Sequence, residues 1–295
     1  MKNQILFNIL TCNRLHYFKN CIESVLEFVD LNQIEILVCD ANTTEPGFDE
    51  YLNSVVNRYD GLIRVKKFND RVPGELYRSM NHAIMYALKK RIEIIHFMQD
   101  DYQYLFKNEN HVRDIKKLFL KHKNVYQAQA NLVWKRKRKK TGPFECIVVN
   151  GTNHAVLLKK PLCDNGFTRT DIYKEIGLYP NESSFKRGDT KNMIGEVWLA
   201  RQGQARNWKR SISLFPNIGM CYEVPYVRAN KRYGRYFPPK GKYYLKELDA
   251  SAQETLKINS RKKHLSYIDD ICECDGWEPL VSYKRDDNTD IVIDI

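Results

Sequence analysis

The sequence lacks the features by which membrane-embedded, secreted and repetitive proteins are recognised. No stretch reaches the roughly 18 consecutive apolar residues that a membrane-spanning helix needs, although 43% of the 295 residues are hydrophobic. The N-terminal residues lead directly into a strand-like segment, without the apolar core and cleavage site of a signal peptide. No internal repeat is present. We therefore expect a cytoplasmic globular protein with an ordinary hydrophobic core.

The sequence has neither the paired cysteines of a zinc site nor the glycine-rich loop of a phosphate-binding site. Most of the 8 cysteines are scattered through apolar segments, as free buried thiols are. Cys272 and Cys274 form a single Cys-x-Cys without the second pair that a zinc site requires. The first strand-like segment is followed by Thr11-Cys12-Asn13-Arg14, which contains no glycine and so differs from a glycine-rich phosphate loop.

The charge is strongly unbalanced toward the positive. The formal net charge is +12, which favours polyanionic partners such as nucleic acid, an anionic membrane surface or nucleotide phosphates. The densest basic run is Lys135–Lys140, directly after Trp134. A solvated loop with no binding function explains this run equally well.

The first half of the chain alternates strand-like and helix-like segments. The predicted strands are 5–10, 34–39, 62–65 and 92–98, and the predicted helices are 17–28, 48–59 and 74–89. Such alternation predicts an α/β fold, with a mostly parallel sheet covered by helices on both faces.

The second half is less regular. We predict helices at 111–122, 167–176 and 192–202, and strands at 125–133, 146–150 and 155–158. From Tyr226 onward, aromatic residues alternate with basic ones. We therefore place a domain boundary there, which gives a main domain at 1–225 and a basic, aromatic-rich C-terminal extension at 226–295.

Two adjacent carboxylates, Asp100 and Asp101, follow the apolar run Ile92–Met98. In open α/β sheets, ligands bind outside the carboxyl ends of such strands. An acidic pair near a core is costly unless a cation neutralises it, and Mg²⁺ or Mn²⁺ shared with substrate phosphates is the natural candidate. The alternative is that the pair begins a solvated loop.

Five segments, in their order and spacing, resemble the family 2 glycosyltransferases, which are nucleotide-sugar enzymes of the GT-A fold. The segments are Leu10–Arg14, Val38–Thr44, Arg78–Ala83, Gln99–Asp101 and Gly195–Arg201. The resemblance covers roughly residues 1–225. It implies a Rossmann-like GT-A domain followed by the C-terminal extension.

The resemblance implies donor-binding roles for residues in the first three of these segments. Thr11, Asn13 and Arg14 would flank the nucleotide. Asp40 would accept hydrogen bonds from the base or ribose, although an ordinary turn explains an aspartate there too. Arg78 and Asn81 share a helical face and would reach the sugar or the diphosphate. A surface salt bridge is the alternative for Arg78.

The resemblance also implies a divalent cation, Mn²⁺ or Mg²⁺. Asp101 is the expected ligand, and Asp100 would face the donor sugar, the metal or the metal's outer shell. Gln99 stands where the family usually has a first aspartate, and its neutral amide is a poorer candidate ligand. A further ligand is sought among Glu223, His154 and His264.

The implied reaction is an inverting transfer of a sugar, most simply from a UDP-sugar. Glu196 would be the general base, with Asp189 as the alternative, and Trp198 would form a platform for the acceptor. A helix-start role for Glu196 and a core role for Trp198 remain open.

The implied acceptor is a glycan or a lipid-linked glycan in surface polysaccharide synthesis. For such an enzyme, Lys135–Lys140 would contact an anionic membrane. Two other functions compete. A sugar-nucleotidyltransferase is disfavoured by the missing glycines after the first strand, and a non-enzymatic nucleic-acid-binding protein would use the positive charge but would not need Asp101.

Overall fold

The computed structural model describes most of the first half of the chain and separate segments of the rest. The described residues are 5–70, 75–100, 102–104, 111–129, 132–134, 144–149, 152–158, 166–180, 194–213, 220–222, 242–245, 272–275, 282–285 and 291–294. Six α-helices lie among them. They are α1 (Leu15–Phe28), α2 (Phe48–Arg58), α3 (Glu75–Lys90), α4 (His111–Lys121), α5 (Ile172–Ile176) and α6 (Ile194–Ala205).

The described strands form one large sheet and several small ones. They are β1 (Ile5–Thr11), β2 (Ile34–Asp40), β3 (Ile63–Lys67), β4 (Ile94–Gln99), β5 (Tyr102–Tyr104), β6 (Val125–Gln129), β7 (Leu132–Trp134), β8 (Phe144–Val149), β9 (Thr152–Leu158), β10 (Gly166–Arg169), β11 (Lys209–Ser213), β12 (Met220–Tyr222), β13 (Lys242–Leu245), β14 (Cys272–Asp275), β15 (Ser282–Arg285) and β16 (Ile291–Asp294). The large sheet has the order β3-β2-β1-β4-β10-β6-β11-β9-β8.

The first four strands of the large sheet are parallel, as the alternating pattern predicts. β1 pairs with β2 on one side and with β4 on the other. Thr11 therefore lies opposite Asp40, and Leu10 lies opposite Gln99. This register brings the carboxyl ends of β2, β1 and β4 to one edge of the sheet.

Helices cover both faces of this parallel half. Residues of α1, α2 and α4 pack with one set of strand side chains, and residues of α3 pack with the opposite set. In α3, the buried residues Met80, Ala83, Ile84 and Ala87 recur at helical spacing. The amphipathic pattern of the sequence therefore determines which face each helix buries.

Two predicted elements differ from the structure. The predicted helix at 167–176 is wrong in its first half, because Gly166–Arg169 is a strand that pairs antiparallel with β4. There the side chain of Phe167 is buried against Phe7, and burial in the sheet outweighs local helical spacing. The predicted strand at 125–133 is divided between β6 and β7, which belong to different sheets.

The C-terminal part is described only as short strands. β13 pairs with β14, and β15 pairs with β16, both antiparallel. Residues 223–241 lie outside the described part of the chain, so the predicted domain boundary near Tyr226 stays a prediction. None of the described helices is both long enough and apolar enough to cross a membrane.

His96 is a buried titratable residue in the centre of the sheet. Its ring stacks on Phe167, with the ring centroids 3.9 Å apart, and meets Phe7 edge-on. Burial lowers the pKa of His96 from 6.5 to about 3. The folded protein thus holds this imidazole in its neutral form at neutral pH.

We expect His96 to make folding stability depend on acid pH. Below pH 6.5 the unfolded chain binds a proton that the folded chain excludes until about pH 3, so stability falls as the pH is lowered through this interval. The variant His96→Phe keeps a flat ring against Phe167 and removes the titration. Urea unfolding between pH 7 and pH 4 should show a shallower loss of stability in His96→Phe than in the wild type. Parallel pH profiles would contradict this assignment.

Candidate active site

The carboxyl ends of β1, β2 and β4 are joined by backbone hydrogen bonds that continue beyond the strands. The N–H of Ala41 donates to the carbonyl of Thr11, and the N–H of Asp100 donates to the carbonyl of Leu10, each over 3.0 Å. Neighbouring strands are separated by about 4.8 Å, so Asp40 and Asp100 flank the end of β1 with backbones about 10 Å apart. The sheet therefore brings two of the predicted site residues to one edge.

Asp100 is completely buried, and its carboxylate is paired on both oxygens. Thr11 Oγ1 donates to Oδ2 over 2.9 Å, and Arg14 Nη2 lies 2.6 Å from Oδ1. The Arg14 side chain itself is 17% exposed. The cation that neutralises Asp100 is therefore a guanidinium of the same chain, and three predicted donor-site residues form one cluster.

The loop after β1 is fastened to the loop after β2. The N–H of Asn13 donates to Thr43 Oγ1 over 2.9 Å, and the N–H of Thr44 donates to Asn13 Oδ1 over 2.7 Å. Glu45 accepts from the N–H of Leu15 at the start of α1 over 2.8 Å. Arg14 at the N-cap gives α1 no side-chain cap, so Glu45 supplies the negative charge that helix N-termini favour.

Asp40 is buried at the end of β2. Its Oδ1 accepts from the N–H of Thr43 over 3.0 Å, which is the local turn geometry that aspartate favours. The structure therefore contains the turn that the sequence offered as an alternative role for Asp40. A role for this carboxylate toward the nucleotide stays a prediction.

Arg78 and Asn81 both have partners within the protein. Arg78 Nη1 donates to Asp70 Oδ1 over 2.8 Å, and its guanidinium lies over the ring of Phe68. Asn81 holds the backbone of Tyr179 by two hydrogen bonds of 2.9 Å, donating from Nδ2 and accepting at Oδ1. The salt bridge considered for Arg78 is thus found, and Asn81 fastens α3 to the segment after α5. Their donor-binding roles stay predictions.

The predicted catalytic and acceptor residues lie on α6 and just before it. Glu196 is in the first turn of α6, while its side chain and all of Asp189 lie outside the described residues. Trp198 is half-buried and meets Tyr179 edge-on, with the ring centroids 5.4 Å apart. Trp198 is therefore packed partly against the core, and its acceptor role stays a prediction.

Gly195 determines how closely α6 approaches α3. A Cβ atom built on Gly195 would overlap ring atoms of Tyr77. Tyr77 is buried and stacked on Tyr179 at 5.5 Å, so its ring has no free space to move into. The glycine before Glu196 thus permits a close helix contact that sets the position of the first turn of α6.

The described residues do not by themselves form a site for a divalent cation. Among them, no group of three His, Cys, Asp or Glu side chains is placed to hold a metal ion. Both carboxylate oxygens of Asp100 already contact Arg14 or Thr11, so Asp100 is poorly suited to bind a metal ion directly. Asp101 and three other predicted ligands fall outside what is described, namely Glu223, His264 and the side chain of His154.

Sequence reasoning missed Thr43, Glu45 and Tyr179. Thr43 and Glu45 accept hydrogen bonds from the backbone N–H groups of Asn13 and Leu15. The backbone of Tyr179 is held by the side chain of Asn81. For Thr43 and Glu45 the sequence offered one local signal, the turn-forming composition of Asp40–Glu45. Cys39 lies beside this site, but burial raises the pKa of its thiol to about 12, so it has no nucleophilic role at neutral pH.

Comparison with known proteins identifies the N-terminal part of the chain. Residues 8–130 match the family model described as glycosyl transferase family 2. Over these residues the chain is similar to the family 2 glycosyltransferases. The resemblance seen in the sequence is therefore confirmed, and no curated protein matches the chain as a whole or in part.

Solved structures share the fold of this chain at low sequence identity. GalNAc-T7 with UDP, GalNAc and Mn²⁺ has a TM-score of 0.54 and 11% identity over 74% of this chain and 43% of that one. Staphylococcus aureus TarS 1-349 with UDP-GlcNAc has a TM-score of 0.52 and 14% identity over 80% and 62%. The mannosyltransferase PcManGT from Pyrobaculum calidifontis, with GDP-Man and Mn²⁺, has a TM-score of 0.53 and 11% identity over 81% and 66%.

These structures confirm the predicted fold class. At such identities the likeness is one of fold, and it agrees with the mostly parallel, helix-covered sheet of a GT-A glycosyltransferase. The matched part spans 43% of GalNAc-T7, 62% of TarS 1-349 and 66% of PcManGT, less than two thirds of each.

We expect the variant Asp100→Ala to lower the free energy of unfolding by about 3 kcal/mol, because it removes one partner of a buried ion pair. The matched control is Asp70→Ala, which breaks the exposed pair with Arg78 and should cost less than about 1 kcal/mol. Urea unfolding measures both. Equal losses would show that the buried pair does not stabilise the strand ends.

Two glycines of α6 provide a matched pair. Gly195→Ala should destabilise the fold by about 1–3 kcal/mol, because the new methyl group is forced against Tyr77. Gly203→Ala should be neutral or stabilise by up to about 1 kcal/mol, since its nearest contacts would lie at an ordinary 3.7 Å. Thermal unfolding compares them. A Gly195→Ala protein as stable as Gly203→Ala would contradict the close packing of α6.

Proposed function

We propose that this protein is an inverting, metal-dependent glycosyltransferase that moves a sugar from a nucleotide donor, most simply a UDP-sugar, to a hydroxyl of a glycan or lipid-linked acceptor. The main support is the cluster of Thr11, Arg14, Asp40 and Asp100 at the carboxyl ends of parallel strands, the edge at which α/β sheets bind nucleotides. The family match and the nucleotide-sugar complexes of TarS and PcManGT agree with this choice.

The donor would lie across the ends of β1, β2 and β4. Asp40 would meet the base or ribose from one side, and the loop of Thr11, Asn13 and Arg14 would lie beneath the nucleotide. Arg14 is the one cation described in this loop. Because its guanidinium pairs with the buried Asp100 and the side chain is 17% exposed, Arg14 would present positive charge to the diphosphate.

A divalent cation would be held by Asp101, which directly follows the buried Asp100. When bound, it supplies positive charge that stabilises the departing nucleotide diphosphate. GalNAc-T7 and PcManGT were both crystallised with Mn²⁺, which supports Mn²⁺ or Mg²⁺ for this chain. In this proposal Asp100 is a positioning residue that orients Arg14.

The chemical step is a single displacement. Glu196 accepts the proton of the acceptor hydroxyl, and the hydroxyl oxygen forms a bond to the anomeric carbon. The bond from that carbon to the diphosphate oxygen breaks on the opposite side, and the electron pair leaves with the nucleotide. Asp189 is the alternative base. Trp198, next to Tyr179, would stack on the acceptor sugar.

The biological setting follows from the same proposal. A glycan acceptor and a role in surface polysaccharide synthesis, in the cytoplasm or at the inner membrane face, fit a family 2 enzyme. Glycines are absent from Thr11–Arg14, which counts against a sugar-nucleotidyltransferase. The competing nucleic-acid-binding function is tested directly by the following assay.

The assay measures nucleotide diphosphate released from a panel of UDP- and GDP-sugars with Mn²⁺. Asp101→Ala should lower turnover by about 100-fold or more, since charge stabilisation in the transition state is lost. Glu196→Gln should lower the rate of transfer to an acceptor and leave donor affinity unchanged. The matched controls Asp60→Ala, between α2 and β3, and Glu27→Gln, in the last turn of α1, remove exposed carboxyl groups at the opposite edge of the sheet and should behave like the wild type.

Three results would overturn parts of the proposal. Turnover that persists in Asp101→Ala without added metal would refute the metal assignment. Transfer that is unaffected in Glu196→Gln would assign the base to Asp189. Salt-sensitive binding of nucleic acid, with no turnover of any nucleotide sugar, would favour the non-enzymatic function.

A further inference from the structure

A cavity lies at the edge of the sheet opposite the candidate active site, where β4 begins and β10 ends. It has a volume of about 630 Å³, which is in the range of ligand sites. Ile94 lies opposite Arg169 in this part of the sheet, whereas the donor site lies beyond Gln99. The six residues of β4 separate the two sites by about 20 Å at 3.3 Å per residue.

The cavity has an apolar floor and a cationic rim. Five basic residues and two acidic ones line it, so the rim carries a net positive charge of about three. The basic residues are Arg91, Lys116, Lys123, Arg169 and Lys174, and the apolar residues are Leu88, Ile92, Ile94, Phe119 and Leu120. This composition suits a ligand that combines an anionic group with an apolar part.

Thr170 marks a polar position at this cavity. The residue lines the cavity and is only 3% exposed, yet its Oγ1 makes no hydrogen bond with any other described residue. A buried hydroxyl without a partner destabilises the folded state, because it has given up its hydrogen bonds to water. An oxygen of a bound anion would supply the missing partner.

Arg91 occupies a backbone conformation that arginine rarely adopts. Its φ is +59°, at the residue after α3 where glycine or asparagine usually ends a helix. A non-glycine residue strains the backbone in this left-handed conformation, because its Cβ atom crowds the main chain. An arginine kept there, exposed on the rim of a cationic cavity, indicates a use for its side chain.

The last turn of α4 places an apolar side chain beside this rim. Leu120 is 66% exposed, the highest value among the described large apolar residues. The exposed lysines Lys117, Lys121 and Lys123 lie around it in the sequence. An exposed leucine among lysines is typical of a surface that lies on an anionic bilayer.

We propose that this cavity and the end of α4 together bind the headgroup of an anionic phospholipid at a membrane surface, with Arg91, Lys123 and Lys174 around the phosphate and Leu120 in the acyl boundary. The donor site then faces away from the bilayer, about 20 Å from the headgroups. An acceptor hydroxyl at that distance belongs to the outer end of a growing glycan. Membrane binding here is independent of the proposed catalytic activity.

The test is flotation of the full chain with phosphatidylcholine vesicles, with and without one third phosphatidylglycerol. We expect binding only to the anionic vesicles. Arg91→Gly and Lys174→Gln should each weaken it about fivefold, the effect of one basic residue near an anionic surface, and Leu120→Ser should weaken it too. Arg58→Gln is the matched control, since it removes an exposed charge elsewhere and should bind like the wild type.

Arg91→Gly separates binding from folding. Glycine is the preferred residue at this conformation, so the variant should unfold at the same or a higher temperature than the wild type while it binds anionic vesicles less well. Donor hydrolysis measured without vesicles should be unchanged in all four variants. A chain that fails to hydrolyse any donor but floats with these vesicles would refute the proposed function and leave the membrane site intact.

Several outcomes would overturn the membrane site. These are no binding to anionic vesicles, equal weakening by Arg58→Gln, or full binding by Arg91→Gly and Lys174→Gln. A rise in melting temperature with millimolar glycerol 3-phosphate, without vesicle binding, would assign the cavity to a free phosphorylated molecule.

Discussion

The buried carboxylate of Asp100 is the constraint around which the candidate active site is arranged. A charge removed from water must be neutralised and hydrogen-bonded, or the group does not stay ionised. Arg14 and Thr11 meet both needs; Thr11 is the last residue of β1, and Arg14 lies in the loop that follows it. The ion pair therefore ties the end of β4 to the loop after β1, and it holds a guanidinium at the edge of the sheet.

The neighbouring loops are also held by polar side chains whose hydrogen bonds reach distant parts of the chain. Asn13 and Glu45 satisfy backbone groups across the two loops, and Asn81 does so for Tyr179. In each case a polar side chain hydrogen-bonds to the backbone of a distant segment. These bonds hold loop residues in place where there is no helix or strand to do so. A rigid base of this kind suits a nucleotide site, because binding then costs little ordering.

The two edges of the sheet have different chemistry. At the carboxyl edge, polar groups are buried and paired, as in the cluster around Asp100. At the opposite edge, Arg91, Lys123 and Lys174 remain exposed around an apolar cavity. The basic residues behind the net charge of +12 therefore differ in their surroundings, since Arg14 is paired with the buried Asp100 while the rim residues face outward.

The sequence by itself determined the elements of the parallel half and the edge at which its polar residues meet, because hydrophobic periodicity is a local property and strands that alternate with helices form parallel sheets. It also determined the family, through short motifs in a fixed order. Tertiary structure alone decided that Arg14 neutralises Asp100, that Gly166–Arg169 is a strand against β4 and that Asn81 holds Tyr179. These contacts join residues as far as 98 positions apart, and their energies depend on burial that no local pattern encodes.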